Sequence, residues 1–299
     1  MKSVDPALSI HPGRDRTLAA VIADLVKARL TALVLITTLA GFYMGSEGGV
    51  DLLLLLHALL GTGLLASGAA ALNQVLEREL DAKMRRTASR PLPAGEMRSD
   101  IALIFGGICA IAGMVYTAVL VNMLTALIGA ITLGAYLFIY TPLKRITTFN
   151  TVIGAIPGAL PPLMGWTAVQ NNIDARGWSL FAILFFWQLP HFLAIAWLYR
   201  GEYEKAGFVM MPKLDPEGYR TGSQAFNHTI GLCFMSLFPV VLGLAGKFYF
   251  VAAVLLGAYF AKQAFHFSSQ RNEAAARRLF LASIVYLPLL LMVMAFDKL

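Results

Sequence analysis

The residues best suited to chemistry are Asn73, Glu77 and Asp81, in the run NQVLERELD. They recur at every fourth position. In a helix each four-residue step advances about 40° around the axis, so the three side chains cover one stripe about 80° wide and roughly 12 Å long. Three oxygen donors on one face suit a hard cation. Mg²⁺ takes carboxylates and water, and usually shares its shell with substrate phosphate oxygens. The competing reading is a solvated helix end, with i,i+4 ion pairs reaching Lys83 and Arg85. Spacing alone leaves both open. Glu79 and Arg78 point elsewhere on the same helix.

Cations follow the stripe closely: Lys83, Arg85, Arg86 and Arg90. A second basic group, Lys144 and Arg145, lies in YTPLKRITTFN just after Tyr140. Anchoring at a membrane surface accounts for most of these charges. It does not account for basic residues beside an acidic stripe. A diphosphate bound through a metal needs both: carboxylates for the ion, and forked Arg or point-charged Lys donors for the remaining oxygens. A third group, Tyr199, Arg200, Glu202, Tyr203 and Lys205, ends the stretch FFWQLPHFLAIAWLYRGEYEK. His191 lies inside that stretch, just after Pro190. A lone His on an apolar face is more often a satisfied core residue than a ligand. His57 in LLLLLHALLG takes that core reading, His228 stays open, and His11 and His266 read as surface or interface positions.

These groups must be positioned by membrane helices. Of 299 residues, 58% are hydrophobic and 14% charged, with mean hydropathy +0.68. A soluble domain carries about 25% charged residues. A span needs about 20 mostly apolar residues, and nine such segments appear: 28–46, 52–75, 101–120, 122–141, 150–169, 178–198, 227–245, 248–267 and 279–297. The turn between the third and fourth must be tight. With this division, 21 of the 24 Lys and Arg residues fall on one side, leaving Arg176, Lys247 and Lys298 on the other. The bias puts the amino terminus in the cytoplasm and the carboxyl terminus outside. It also explains the net charge of +7 without nucleic acid. Residues 1–27 read as a cytoplasmic segment, and 28–299 as one transmembrane domain with cytoplasmic loops 76–100 and 199–226. Loops of that length are often functional. No signal peptide or mitochondrial presequence is evident, which favours a bacterial cytoplasmic membrane. Cys109 and Cys233 lie in apolar runs without zinc or disulfide spacing. Belt anchoring accounts for the four Trp residues.

The pattern Asn-x-x-x-Glu-x-x-x-Asp with KMRRTASRPLP, then YTPLKR, then WQLPHFLAIAWLYRGEYEKAG, resembles the UbiA superfamily of intramembrane prenyltransferases. The likeness covers about residues 20–297. RTASRPLPAG and WQLPHF narrow it to the branch that farnesylates haem. The resemblance implies an all-α polytopic bundle of about nine transmembrane helices around a central cavity. It implies Mg²⁺ as cofactor, and farnesyl diphosphate and haem b as substrates. The farnesyl group goes to the 2-vinyl group of haem b with addition of water. A downstream haem A synthase or terminal-oxidase assembly is the implied partner.

Residue by residue, Asn73, Glu77 and Asp81 fall on the metal motif, and Glu202 on an acidic position of the second motif. That second motif is reduced here: the superfamily usually has several aspartates. Arg86, Arg90, Lys144 and Arg145 match diphosphate-contacting positions, with Arg200 and Lys205 counted beside them. Lys144 and Tyr140 join the acids as catalytic residues. Tyr140 and Phe149 offer ring faces to an allylic cation, and His191 becomes a candidate haem contact. Two rival readings remain. One keeps the scaffold and changes the acceptor to a quinone or chlorophyll precursor. The other is a non-catalytic haem transporter or chaperone, which intramembrane polar residues also fit.

Overall fold

The computed structural model describes residues 16–299. Lys2, Arg14 and His11 lie outside the described residues. Thirteen helices follow one another: α1 (Leu18–Leu25), α2 (Ala28–Gly45), α3 (Leu52–Asp81), α4 (Ser99–Leu120), α5 (Met123–Gly134), α6 (Thr141–Leu143), α7 (Asn150–Gln170), α8 (Ala175–Leu198), α9 (Arg200–Ala206), α10 (Tyr219–Met235), α11 (Phe238–Val241), α12 (Lys247–Gln270) and α13 (Glu273–Phe296). A π-helical turn, Ala135–Tyr140, joins α5 to α6.

Eight helices among the described residues are long and apolar enough to cross a membrane. They correspond to eight of the nine expected spans. The remaining one, expected at 227–245, is a broken helix. Its first part, α10, starts earlier and is polar over Arg220, Gln224, Asn227 and His228. Its second part is the four-residue α11, with Pro239 in its first turn. Proline has no N–H and cannot continue the ladder of a preceding helix. A broken helix at membrane depth is tolerated where side chains satisfy the freed backbone groups. Here the Tyr249 hydroxyl donates to the Ser236 carbonyl at 2.8 Å, and the Ser236 hydroxyl pairs with that of Tyr286 at 2.9 Å.

The spans form a ring in which α2, α3, α4, α5, α7, α8, α10, α12 and α13 each pack on the next, and α13 returns to α2. The tight turn between α4 and α5 is Val121–Asn122. Asn122 caps α5 through Thr125 N–H and donates its amide to the Thr167 carbonyl on α7. Inside the ring α7 is the most enclosed span and packs closely on α2. A Cβ on Gly41 would sit 1.9 Å from the Pro162 carbonyl oxygen, and one on Gly165 1.9 Å from that of Thr38. In membranes, small residues of this kind let backbones approach where no hydrophobic driving force exists.

The helix that positions the stripe is α3. Asp51 caps its start by accepting from Leu53 and Leu54 N–H. At 30 residues it is about 45 Å long, well beyond the ~30 Å hydrocarbon core. Its last turns therefore project past the apolar layer. The loop expected at 76–100 is helical to Asp81, so only residues 82–98 are irregular or turn-like. Likewise the expected loop 199–226 holds α9 and the start of α10.

Candidate active site

Asn73, Glu77 and Asp81 are all buried on the inward face of α3, the stripe their spacing predicts. Burial of a charge is costly unless it is paired, and each of the three has a cationic partner. Lys27 Nζ donates to Asn73 Oδ1 at 2.7 Å. Lys144 Nζ donates to Glu77 Oε1 at 2.8 Å. Arg90 Nη1 donates to Asp81 Oδ2 at 2.6 Å. The solvated-end reading, with pairs to Lys83 and Arg85, is not what forms: both are exposed and neither pairs with the stripe among the described residues.

Three loops bring those cations back. After α3 the chain turns at Met84–Ala88, and the Thr87 hydroxyl donates to the Asp81 carbonyl at 2.8 Å. That turn returns Arg90 to Asp81. The 144–149 loop is tied to the 207–210 loop, since Val209 N–H donates to the Lys144 carbonyl at 2.7 Å and the Asn150 amide to the Val209 carbonyl at 2.8 Å. Met84, Ala206 and Phe208 form a small apolar cluster, with Leu80, Tyr203 and Met210 against it. This cluster locks the loop after α3 and the 207–210 loop together over the site. Lys27 comes from the short link between α1 and α2, with φ of 50°. A non-glycine residue rarely adopts that left-handed conformation. The Gln74 amide, donating to the Asp24 and Leu25 carbonyls, holds the link in place.

The π-helical turn builds the opposite wall. Such turns inside α-helices are frequent at functional sites. Here the turn sets the Tyr136 and Tyr140 rings 5.7 Å apart, and Lys144 Nζ lies 4.5 Å from the centre of the Tyr140 ring. Gly154 on α7 makes room: a Cβ there would meet that ring at 2.4 Å. Thr141 accepts from the Asn73 amide at 3.2 Å and donates to the Tyr136 carbonyl at 2.9 Å.

Lys27 and Lys144 lie just outside the spanning segments. Burial, then the nearby charges of Arg90 and Lys144, push the Lys27 ammonium down to about 7. Burial acts on Lys144 in the same direction, but Tyr140 and Glu77 outweigh it and raise that ammonium. The stripe also fits a metal ion. Glu77 Oε2 and Asp81 Oδ1 have no hydrogen-bond partner among the described residues and are not sealed from water. Two free carboxylate oxygens one helical turn apart, with an amide oxygen beyond them, make a hard donor set suited to Mg²⁺.

Several expected site residues stand elsewhere. Glu202 is not gathered with Glu77 and Asp81: among the described residues no three acidic, His or Cys side chains cluster for a metal. Instead its Oε2 lies 3.4 Å from the Arg86 backbone N–H. Arg86 is a rim residue whose guanidinium donates to the Tyr203 hydroxyl at 3.0 Å and lies over the Tyr199 and Tyr203 rings. Arg200 turns away from the site. It donates to the Trp197 carbonyl and pairs with Glu273 on α13, because the first turn of α9 aims it back along α8. Arg145 and Lys205 are exposed, without an ion pair among the described residues. Phe149, the last residue of the loop before α7, is 68% exposed and is not packed into the wall built by Tyr136 and Tyr140. His57 is held by the Tyr116 hydroxyl at 2.8 Å, as a core residue would be. His191 lies deeper, in the seam between α8 and α13. A cavity of about 600 Å³ opens near Tyr43, Trp166, Arg176 and Lys298, away from Glu77, Asp81 and Glu202.

Lys27, Tyr136 and Thr141 are the site residues that sequence reading passed over. Lys27 reads as one topology charge among many, 46 residues from its partner. Tyr136 carried one usable signal, its place four residues before Tyr140.

Residues 34–287 match the model of the UbiA prenyltransferase family. A protein of Solibacter usitatus named protoheme IX farnesyltransferase is 45% identical over 284 residues, covering 92% of this chain and 97% of that protein. Among solved structures, a digeranylgeranylglyceryl phosphate synthase superposes with TM-score 0.79 at 17% identity, covering 93% of this chain and 97% of the other. A UbiA homolog from Archaeoglobus fulgidus bound to GPP and Mg²⁺ superposes with TM-score 0.65 at 14% identity, covering 92% and 99%.

Proposed function

The chain belongs to the UbiA prenyltransferase family, and on that premise we propose that it transfers the farnesyl group of farnesyl diphosphate to the 2-vinyl group of haem b. Water adds in the same reaction, and the products are haem O and diphosphate. The observation that carries the reading is the paired acid and cation set on α3: Glu77 with Lys144, and Asp81 with Arg90. The near-full-length likeness to a protoheme IX farnesyltransferase supports haem as the acceptor.

Asn73, Glu77 and Asp81 would hold Mg²⁺, which would supply positive charge to the diphosphate oxygens. Lys144, Arg90 and Lys27 are within reach of the same oxygens. In the free protein Lys144 and Arg90 neutralise Glu77 and Asp81, and with the donor in place the cations turn to the diphosphate. That exchange keeps buried charge paired in both states. Arg86 stands at the rim and meets the diphosphate at its open side. Arg145 and Lys205 add positive potential at the mouth. Once turned to the donor, these cations stabilise the charge that develops on the departing diphosphate.

Tyr136 and Tyr140 present ring faces where carbon 1 of the farnesyl chain becomes cationic. The bond between carbon 1 and the diphosphate oxygen breaks, and the terminal vinyl carbon forms the new carbon–carbon bond. Water adds at the inner vinyl carbon and loses a proton. His191 is the haem contact. Residues 28–299 form the transferase domain, and residues 1–27 the cytoplasmic segment whose last residue, Lys27, closes the site. In a bacterial inner membrane, the charge bias supports the site and amino terminus on the cytoplasmic side and the carboxyl terminus in the periplasm. The haem O released suits a downstream haem A synthase or terminal-oxidase assembly.

Diphosphate release tests the acceptor. Purified protein with farnesyl diphosphate and Mg²⁺ should release diphosphate when haem b is added, and not with hydroxybenzoate. Release with hydroxybenzoate instead would assign a quinone-type acceptor. Haem-independent behaviour with no release at all would favour a carrier.

A further inference from the structure

His191 lies seven residues before Leu198, the end of α8, roughly 10 Å deeper along the axis. Its ring is stacked between Trp187 (centroids 5.0 Å apart, planes at 21°) and Phe280 (5.2 Å, 29°). Its Nδ1 is 2.7 Å from the hydroxyl of Ser283 on α13. The same hydroxyl lies 2.6 Å from the Phe280 carbonyl. A carbonyl oxygen can only accept, so the serine proton goes there. The hydroxyl must then accept from His191, and Nδ1 carries the ring's proton. The Trp187 indole donates to the Ser283 carbonyl at 2.8 Å and fixes the same turn of α13.

A neutral imidazole has one N–H, so this network leaves the lone pair on Nε2. Nε2 has no hydrogen-bond partner among the described residues and keeps some accessible surface. An Nδ1–H held by an acceptor, with Nε2 free, is the arrangement in which histidine binds metals. The contrast with His57 is useful. There the Tyr116 hydroxyl can serve as donor or acceptor, so nothing selects a tautomer.

We propose that Ser283 is a positioning residue that holds His191 in the Nδ1–H tautomer, so that Nε2 ligates the iron of the haem acceptor. The proposal rests on haem b as the acceptor. The iron bond fixes the centre of the porphyrin in the seam between α8 and α13. Trp187 and Phe280 hold the imidazole plane, and hence the direction of that bond.

The test is resonance Raman spectroscopy of purified protein with ferrous haem b, together with haem titration and Mg²⁺-dependent farnesyl diphosphate binding. The wild type should show an iron–histidine stretching band. His191→Ala should lose it, and His191→Gly should regain it with added imidazole. Ser283→Ala should keep the band at lower frequency and bind haem about 10–100-fold more weakly, the usual effect of losing a group that orients a metal ligand. Ser283→Cys, with a weaker acceptor, should fall between. Unchanged farnesyl diphosphate affinity in each variant shows that the fold survives. A wild-type band in His191→Ala would overturn ligation at His191. A wild-type band and haem affinity in Ser283→Ala would overturn the positioning role alone. A wild type that shows the band but never farnesylates the haem would support the ligation while sinking the proposed reaction.

Discussion

At the residue scale the site is a set of matched charges. Glu77 and Asp81 are nearly sealed from water and survive there because Lys144 and Arg90 face them. Asp81→Ala is expected to lower kcat by about 10²–10³-fold, the range seen when a group stabilising transition-state charge is removed. It should also abolish Mg²⁺-dependent binding of farnesyl diphosphate, measured by titration with and without chelator. Asp81→Asn keeps the shape and should lose activity similarly. Much of this was legible, because the four-residue spacing of Asn73, Glu77 and Asp81 predicts one face whatever the tertiary structure. The cations were less so. Arg90 and Lys144 reach the stripe, while Arg200, equally basic and equally close to a loop mouth, is taken up by Glu273 and the Trp197 carbonyl. Side-chain direction at the start of a helix decides that, and sequence spacing does not report it. Lys27 illustrates the converse: its partner is remote in sequence, and only the fold joins them.

At the element scale two irregular turns matter more than the regular spans. The π-helical turn at Ala135–Tyr140 aligns Tyr136, Tyr140 and Lys144 on one wall. A run such as AYLFIY reads as ordinary helix, since nothing in its composition marks the extra residue per turn. The break after α10 was misplaced for a related reason. Hydropathy centred that span on 227–245, but Pro239 divides it, and the polar first half belongs to a helix that starts at Tyr219. The break depends on tyrosine hydroxyls to satisfy it. Tyr249→Phe leaves the Ser236 carbonyl without its donor at a fully buried position. The expected cost is about 1–3 kcal/mol, read as a lower Tm in detergent. Turnover per folded molecule should be unchanged, because Tyr249 does not touch the site. An unchanged Tm would mean that the break is satisfied in some other way.

At the scale of the whole molecule, a ring of spans carries three loops that close over one end of α3. The bundle was readable from hydropathy, which depends on composition over long windows. The closing of the loops depends on a few contacts, such as Val209 N–H to the Lys144 carbonyl and the packing of Phe208 against Met84, and could not be read in advance. The proposed reaction would separate the labour: charged groups at the mouth would hold the donor's diphosphate, and aromatic residues and His191 deeper in the bundle would receive the apolar partners. Mass analysis of the haem recovered after incubating the purified protein with haem b, farnesyl diphosphate and Mg²⁺ tests this most directly. The account predicts a haem heavier by one farnesyl group and one hydroxyl, formed only with Mg²⁺ present and at least about 100-fold more slowly in Asp81→Ala. Recovery of unchanged haem b from wild-type protein that binds both substrates would contradict it.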